Sequence, residues 1–268
     1  MINLYNTPNI ILFFLFILIA IFLSVFGLYV FTLYTIVSGV GTHLFTETYV
    51  YITVAGALIG VVIAFIIYNE NQKYYNAQLN VEEEATSLFI LYEMISTLPN
   101  TTLIQKYIID YICYIIHVEF VALQKGLIPT NTIETLKLSI YNYTPKTKRE
   151  VEIYQQSLVV LNRLIYLRTA RVNSSINGLP GELWWVVMLG SIIVVVLTWF
   201  IHASLLYKVI MTALIAMIFA SLIFLLVVQN YPFRGFFSIK PVPFQNTLTQ
   251  LGKNCSPKYT LYNKCGGC

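Results

Sequence analysis

Four stretches of this chain are long, apolar and nearly free of ionisable side chains, and they leave few folds open. Asn9–Val37 and Val50–Tyr68 contain no Asp, Glu, Lys, Arg or His, Trp184–Tyr207 contains only His202 of these, and Val209–Tyr231 contains none. A helix needs about 17–25 apolar residues to cross the hydrocarbon layer. Lipid offers the backbone no hydrogen bonds, so each run must satisfy its own as a helix. Four spans are therefore expected, over 9–37, 50–68, 184–203 and 206–230. The first lacks a basic flank and a small-residue cleavage pattern, and it exceeds the h-region of a signal peptide, so it is expected to be retained. Composition agrees, with 10% charged residues against about 25% in soluble domains.

Orientation follows from the placement of Lys and Arg. Gly39–Tyr49 has none, whereas 69–182 has ten, from Lys73 to Arg171. The tail over 231–268 adds Arg234, Lys240, Lys253, Lys258 and Lys264, with no acidic residue among them. The 69–182 domain, the tail and both termini are thus expected on the cytoplasmic side of a bacterial inner membrane. The net charge of +4 reflects topology, and nucleic acid is not an expected partner. Membrane lipids are.

Between the two hairpins the pattern is helical. Asn80 and Glu83 have capping-box spacing, and Glu82, Glu83 and Glu84 suit the positive end of a helix starting there. That helix should stop before Pro99. A second is expected over about 101–125, ended by Gly126 and Pro129, and a third after Thr130. Thr144-Pro145 reads as a cap with proline at the first helical position. Val151, Tyr154, Leu158, Leu161 and Ile165 then repeat in steps of three and four. Asn177-Gly178-Leu179-Pro180 breaks this last helix just before Trp184-Trp185. The second hairpin turns near Ala203–Ser204. No β pattern appears, and the expected fold is an all-α membrane protein.

Chemistry is sparse. His43, His117 and His202 are scattered, and His117 and Glu119 stand two apart, so a regular helix does not put them on one face. No phosphate loop, HExxH or nucleophile elbow is present. An enzyme, a cofactor and a metal site are not expected. Cys113, Cys255, Cys265 and Cys268 fall on the side where thiols normally stay reduced. Cys255-x9-Cys265-x2-Cys268 is one ligand short of a zinc site. The basic tail instead suits acidic lipid headgroups.

Apart from Lys208 at the start of the fourth, the spans carry no Asp, Glu, Lys or Arg, which proton-coupled transporters and pumps place within the membrane. Four apolar helices do not enclose a water path alone, so any conduction requires several copies around an axis. Gly56, Gly60 and Ala64 form a small-residue stripe suited to helix packing. The opposite face presents Leu58, Val62 and Phe65, with Asn69 below as a pore entrance. A ring of these side chains makes a narrow neck that gates by dewetting. The same pattern also fits residues that face lipid or other helices.

After the fourth span the chain reads Asn230-Tyr231-Pro232-Phe233-Arg234-Gly235, then Ile239-Lys240-Pro241-Val242-Pro243-Phe244. This resembles the closing signature of the bestrophin-like family of bacterial membrane proteins, whose function is largely unassigned. Glu84-Ala85, Val118-Glu119-Phe120 and Trp184-Trp185 agree in order. The resemblance implies the two-plus-two topology of bestrophins, which are pentameric chloride channels with an apolar neck on the second span. Calcium control in the bestrophin manner is not implied. Arg234–Ser238 has no carboxylate where bestrophins carry an acidic run, and Asn230 stands where family members often have an acid. Calcium needs several oxygen ligands, usually charged.

An oligomeric, anion-favouring ion channel is the leading expectation, with small inorganic ions and further copies of the chain as partners. A membrane scaffold or signalling protein with partner-binding helices is the alternative. The charge asymmetry is directly testable. A cysteine introduced at Thr42 should be labelled from outside by an impermeant thiol reagent, and one at Asn131 should not. The reverse pattern contradicts the orientation.

Overall fold

The computed structural model describes residues 9–38, 48–129, 133–201, 203–235 and 238–255. Gly39, Gly41, His43, His202, Cys265 and Cys268 lie outside them. The described residues are helical and include no strand. The chain divides into two units, Met1–Gln72 with Gly178–Asn230, and Lys73–Asn177 with Tyr231–Cys268.

The first unit is built from α1 (Asn9–Ser38), the first part of α2 (Thr48–Ser96), α7 (Gly181–Trp199) and α8 (Leu205–Gln229). Helix α1 lies along α8 and also meets α7, which packs on α8. Ile63, Ile66, Val187, Val194, Phe219, Ile223 and Leu226 form the core. Two glycines permit the tightest approaches. A Cβ on Gly190 of α7 would lie 2.6 Å from Ile59 Cδ1 of α2, and one on Gly27 would lie 2.6 Å from the Trp199 ring. The remaining surface exposes Phe14, Leu18, Phe22, Phe26, Leu206 and many like them. So large an apolar surface belongs in lipid or against other proteins.

The second unit contains the rest of α2, α3 (Thr102–Tyr114), a π-helical turn (Ile115–Glu119), α4 (Phe120–Gln124), α5 (Ile133–Tyr141), α6 (Lys148–Ile176) and α9 (Val242–Gln250). Its core runs from Ala77 through Leu88, Ile108, Ile112, Phe120, Leu136, Leu161 and Leu164 to Phe233 and Phe244. Among the described residues, five helices are by length and composition able to cross a membrane: α1, α2, α7, α8 and Thr102–Gln124. This fifth segment carries Lys106, Asp110 and Glu119, and half of it is buried within the protein.

Several expectations are corrected. No helix starts at Asn80. Helix α2 runs unbroken from Thr48 to Ser96, because no Gly or Pro interrupts 61–98. Glu84 and Ala85 are therefore mid-helix and buried. Helix α6 starts at Lys148, not after Thr144. Thr147 Oγ1 accepts from Glu150 N–H (3.2 Å), and Glu150 Oε2 accepts from Lys146 N–H (2.7 Å). Thr147-x-x-Glu150 supplies the acid that Thr144 lacks three residues on. The buried stripe of α6 is Ser157, Leu161, Leu164, Leu167, Arg171 and Ser175. Val151 is exposed, while Tyr154, Leu158 and Ile165 lie at the stripe's edge. The break at 177–180 and the turn before α8 fall where the sequence put them.

The cysteines also depart from four free thiols. Cys113 on α3 is disulfide-bonded to Cys255, with Cα atoms 5.6 Å apart. The pairing joins residues separated by 142 positions, and no local sequence pattern signals a contact that depends on how the tail packs.

Candidate functional site

The face of α2 singled out above is open in the single chain. Leu58, Val62 and Phe65 are 64%, 40% and 66% exposed, and Asn69 is exposed as well. Steps of four, three and four place them on one face, within about 16 Å of axial rise. Ile59, Ile63 and Ile66 instead make the core-facing edge. With about 100° per residue, this edge stands roughly a quarter turn from the Leu58 face. The small-residue stripe lies a quarter turn to its other side. A Cβ on Gly60 would meet nothing within 4 Å, one on Gly56 would just touch Val194, and Ala64 is exposed. Helix α2 is held mainly by one edge, and among the described residues little covers either flank.

In the second unit the signature residues converge on buried charge. Arg171 reaches the core because it continues the stripe of Leu161, Leu164 and Leu167. Its Nε donates to Glu84 Oε2 (2.6 Å), and its Nη2 donates to Glu84 Oε1 (3.0 Å) and to Glu119 Oε2. Arg168 donates to the other oxygen of Glu119 from Nε (3.0 Å) and Nη2 (2.7 Å). Glu84, Glu119 and Arg171 are fully buried. The π-helical turn ends on Glu119, and its extra residue rotates the helix so that Glu119 and Phe120 both face inward. Burial alone would pull the Arg171 guanidinium down, but Glu84 and Glu119 outweigh it and hold it above its ordinary value. Arg171 stays charged.

The guanidinium lies over the rings of Phe120 (5.3 Å) and Phe244 (5.9 Å). Phe120 meets Phe233 and Phe244 edge to face, each at 5.9 Å. Pro232 O accepts from Ile239 N–H (2.8 Å), which closes the Pro232–Ile239 loop. Gly235 takes φ of +85°, a conformation that glycine adopts without a Cβ penalty. The Arg234 guanidinium stacks 4.3 Å from the Tyr231 ring and donates to Ser175 O (3.4 Å). It fills the space beside Gly126, where a Cβ would come within 2.6 Å of Nη2. Pro241 caps α9 and Pro243 sits in its first turn. These residues are structural cement in the second unit. In the first unit, Asn230 Oδ1 accepts from Leu179 N–H, so its side-chain oxygen ties down the break before α7.

Arg168 and Arg171 were not expected from the sequence as partners of the two glutamates. The available signal was an arginine in helical register with three leucines. His117 is half-buried.

An all-helical chain with a lipid-compatible helical unit and a second unit closed by a Pro-Phe-Arg-Gly loop defines a membrane protein of a distinct type. A bestrophin-like domain matches residues 19–244, and the chain belongs to the bestrophin-like family. Solved structures share the fold. A membrane protein crystallised as a point mutant gives a TM-score of 0.66 at 14% identity, covering 90% of this chain and 99% of that one. Two point mutants of a bacterial bestrophin homolog from Klebsiella pneumoniae give 0.65 at 12% identity and 0.63 at 14%. They cover 90% and 89% of this chain, and 99% and 98% of their own. No curated protein sequence matches.

The buried cluster makes a quantitative prediction. Arg171→Met leaves two buried carboxylates with one arginine, and should cost roughly 3–5 kcal/mol. Arg163→Met breaks an exposed pair with Glu83 (2.7 Å) and should cost about 0–1 kcal/mol. Thermal melts of the two variants in the same detergent check this. Equal melting temperatures would contradict the role given to Arg171.

Proposed function

We propose that the chain is one subunit of a homo-oligomeric, pentameric ion channel of the bacterial inner membrane, with anions favoured. The observation that carries this reading is the doubly open helix α2. Among the described residues its isoleucine edge makes the main contacts, and its two flanks match two separate needs of a ring. The Gly56, Gly60 and Ala64 flank allows close approach of a neighbouring subunit. The Leu58, Val62 and Phe65 flank then turns to the axis and forms the neck, with Asn69 at its entrance.

Four segments span the membrane in this reading, over 9–37, 50–68, 184–203 and 206–230. Both termini, the 69–182 domain and the 231–268 tail are cytoplasmic. The segment Thr102–Gln124 is a core helix of that domain, because its charged residues and its burial suit protein surroundings better than lipid. The neck gates by wetting: apolar rings of small radius exclude water, and with it ions, until they widen. Such a neck rejects neither sign by charge. The preference for anions rests on the family resemblance.

Replacing Leu58, Val62 and Phe65 with Ala widens the constriction and eases wetting. Chloride flux into liposomes carrying the triple variant, matched for oligomer content, should rise severalfold over the parent. Gly60→Leu should impair assembly, since no described residue lies within 4 Å of a Cβ there. Unchanged flux in a triple variant that otherwise conducts would contradict the neck.

A further inference from the structure

The turn after α4 presents apolar side chains that the channel reading leaves unused. Helix α4 ends in a glycine cap. Gly126 takes φ of +73°, its N–H donates to Leu123 O (3.0 Å), and the Leu127 N–H donates to Ala122 O (2.9 Å). In such a cap the residue after glycine commonly packs back on its own helix. Leu127 instead stays 59% exposed, and Ile128 beside it is 70% exposed. Adjacent large apolar side chains held out of a folded unit mark a surface that meets something apolar.

What they meet follows from where the turn is pinned. A Cβ on Gly126 would lie 2.6 Å from Arg234 Nη2, so the guanidinium packs directly on the cap. The same guanidinium donates to Ser175 O (3.4 Å) and stacks on the Tyr231 ring (4.3 Å). Arg234 comes five residues after α8 ends at Gln229, and Ser175 comes six before α7 starts at Gly181. Both helices are apolar and long enough to cross a membrane. Five extended residues reach at most about 18 Å, and the headgroup layer outside the hydrocarbon is itself roughly 5–8 Å deep. Two short tethers therefore tie the turn to the points at which two spans leave the hydrocarbon. Ile176, next to Ser175, is exposed as well. Lys125 precedes the cap, and with Arg234 it sets cations beside apolar side chains, a combination that anionic lipid surfaces attract.

We propose that the turn after α4 is a membrane-interface anchor, in which Leu127 and Ile128 insert into the headgroup layer of an anionic bilayer. The glycine cap turns the two side chains away from the core of their unit, and Arg234 joins the anchor to the Pro-Phe-Arg-Gly loop. The inference rests on the reading of α7 and α8 as membrane spans and is independent of conduction.

The test uses full-length protein with Cys265 and Cys268 replaced by serine, which leaves the Cys113–Cys255 bond in place. Ile128→Cys carries a bimane label, and the protein is reconstituted into vesicles of phosphatidylcholine and phosphatidylglycerol. The quenchers are lipids with a nitroxide at a shallow or a deep acyl position, and iodide in the buffer. Labels at Ile218→Cys on α8 and Val159→Cys on α6, both exposed in the chain, are the references. The shallow nitroxide should lower the Ile128 emission about twofold, the deep one should quench Ile218, and neither should affect Val159. Quenching of Ile128 by iodide alone would overturn the anchor, as would equal shallow quenching at Val159. Protection of Ile128 from every quencher would also overturn it, because a protein surface would then cover the turn. Loss of lipid quenching at Ile218 as well would overturn the membrane reading on which the anchor rests.

Discussion

A guanidinium buried between two carboxylates organises the second unit. Arg171 comes from α6, Glu84 from α2, Glu119 from the π-helical turn, and the covering rings from α4 and α9. Each of these charges left alone in the interior would cost several kcal/mol. The unit therefore tolerates few other arrangements of these helices, since a slip in any one strands a charge. Apolar packing supplies the bulk of the stabilisation, and the ion cluster selects the register in which that packing occurs.

The family signature gains a physical meaning from this arrangement. Phe233 and Phe244 flank Phe120, and the loop between them is shaped by Pro232, Gly235 and the Ile239-to-Pro232 hydrogen bond. The segment closes the core over the ion cluster. Nothing in it resembles a calcium loop, and the oxygen of Asn230 is engaged by the backbone of Leu179.

Much of the helical architecture was legible in the sequence, because ion-free runs of membrane length have one physical solution. Breaks at Pro99, Gly126 and 177–180 were legible for the same local reason, that proline and glycine stop helices wherever they fall. Starts were harder. Asn80 and Glu83 have the spacing of a cap, yet a helix already running from Thr48 has no free N–H there to satisfy. The charge cluster stayed hidden because Glu84 and Arg171 are 87 positions apart, and pairing at that range depends on packing. The disulfide was hidden likewise, and a compartment argument pointed the other way. The α2 face was legible as a pattern, and its exposure in the single chain is what turns the pattern into a candidate pore lining.

The account stands or falls on whether α2 surrounds an axis. Single-particle imaging of the detergent-solubilised protein addresses this without any assumption about the permeant ion. A closed ring of subunits is predicted, with a central hole bordered by Leu58, Val62 and Phe65 and with Gly60 against a neighbouring subunit. A monomer, or a closed dimer whose α2 helices face the detergent belt, would contradict it and favour a membrane-anchored scaffold.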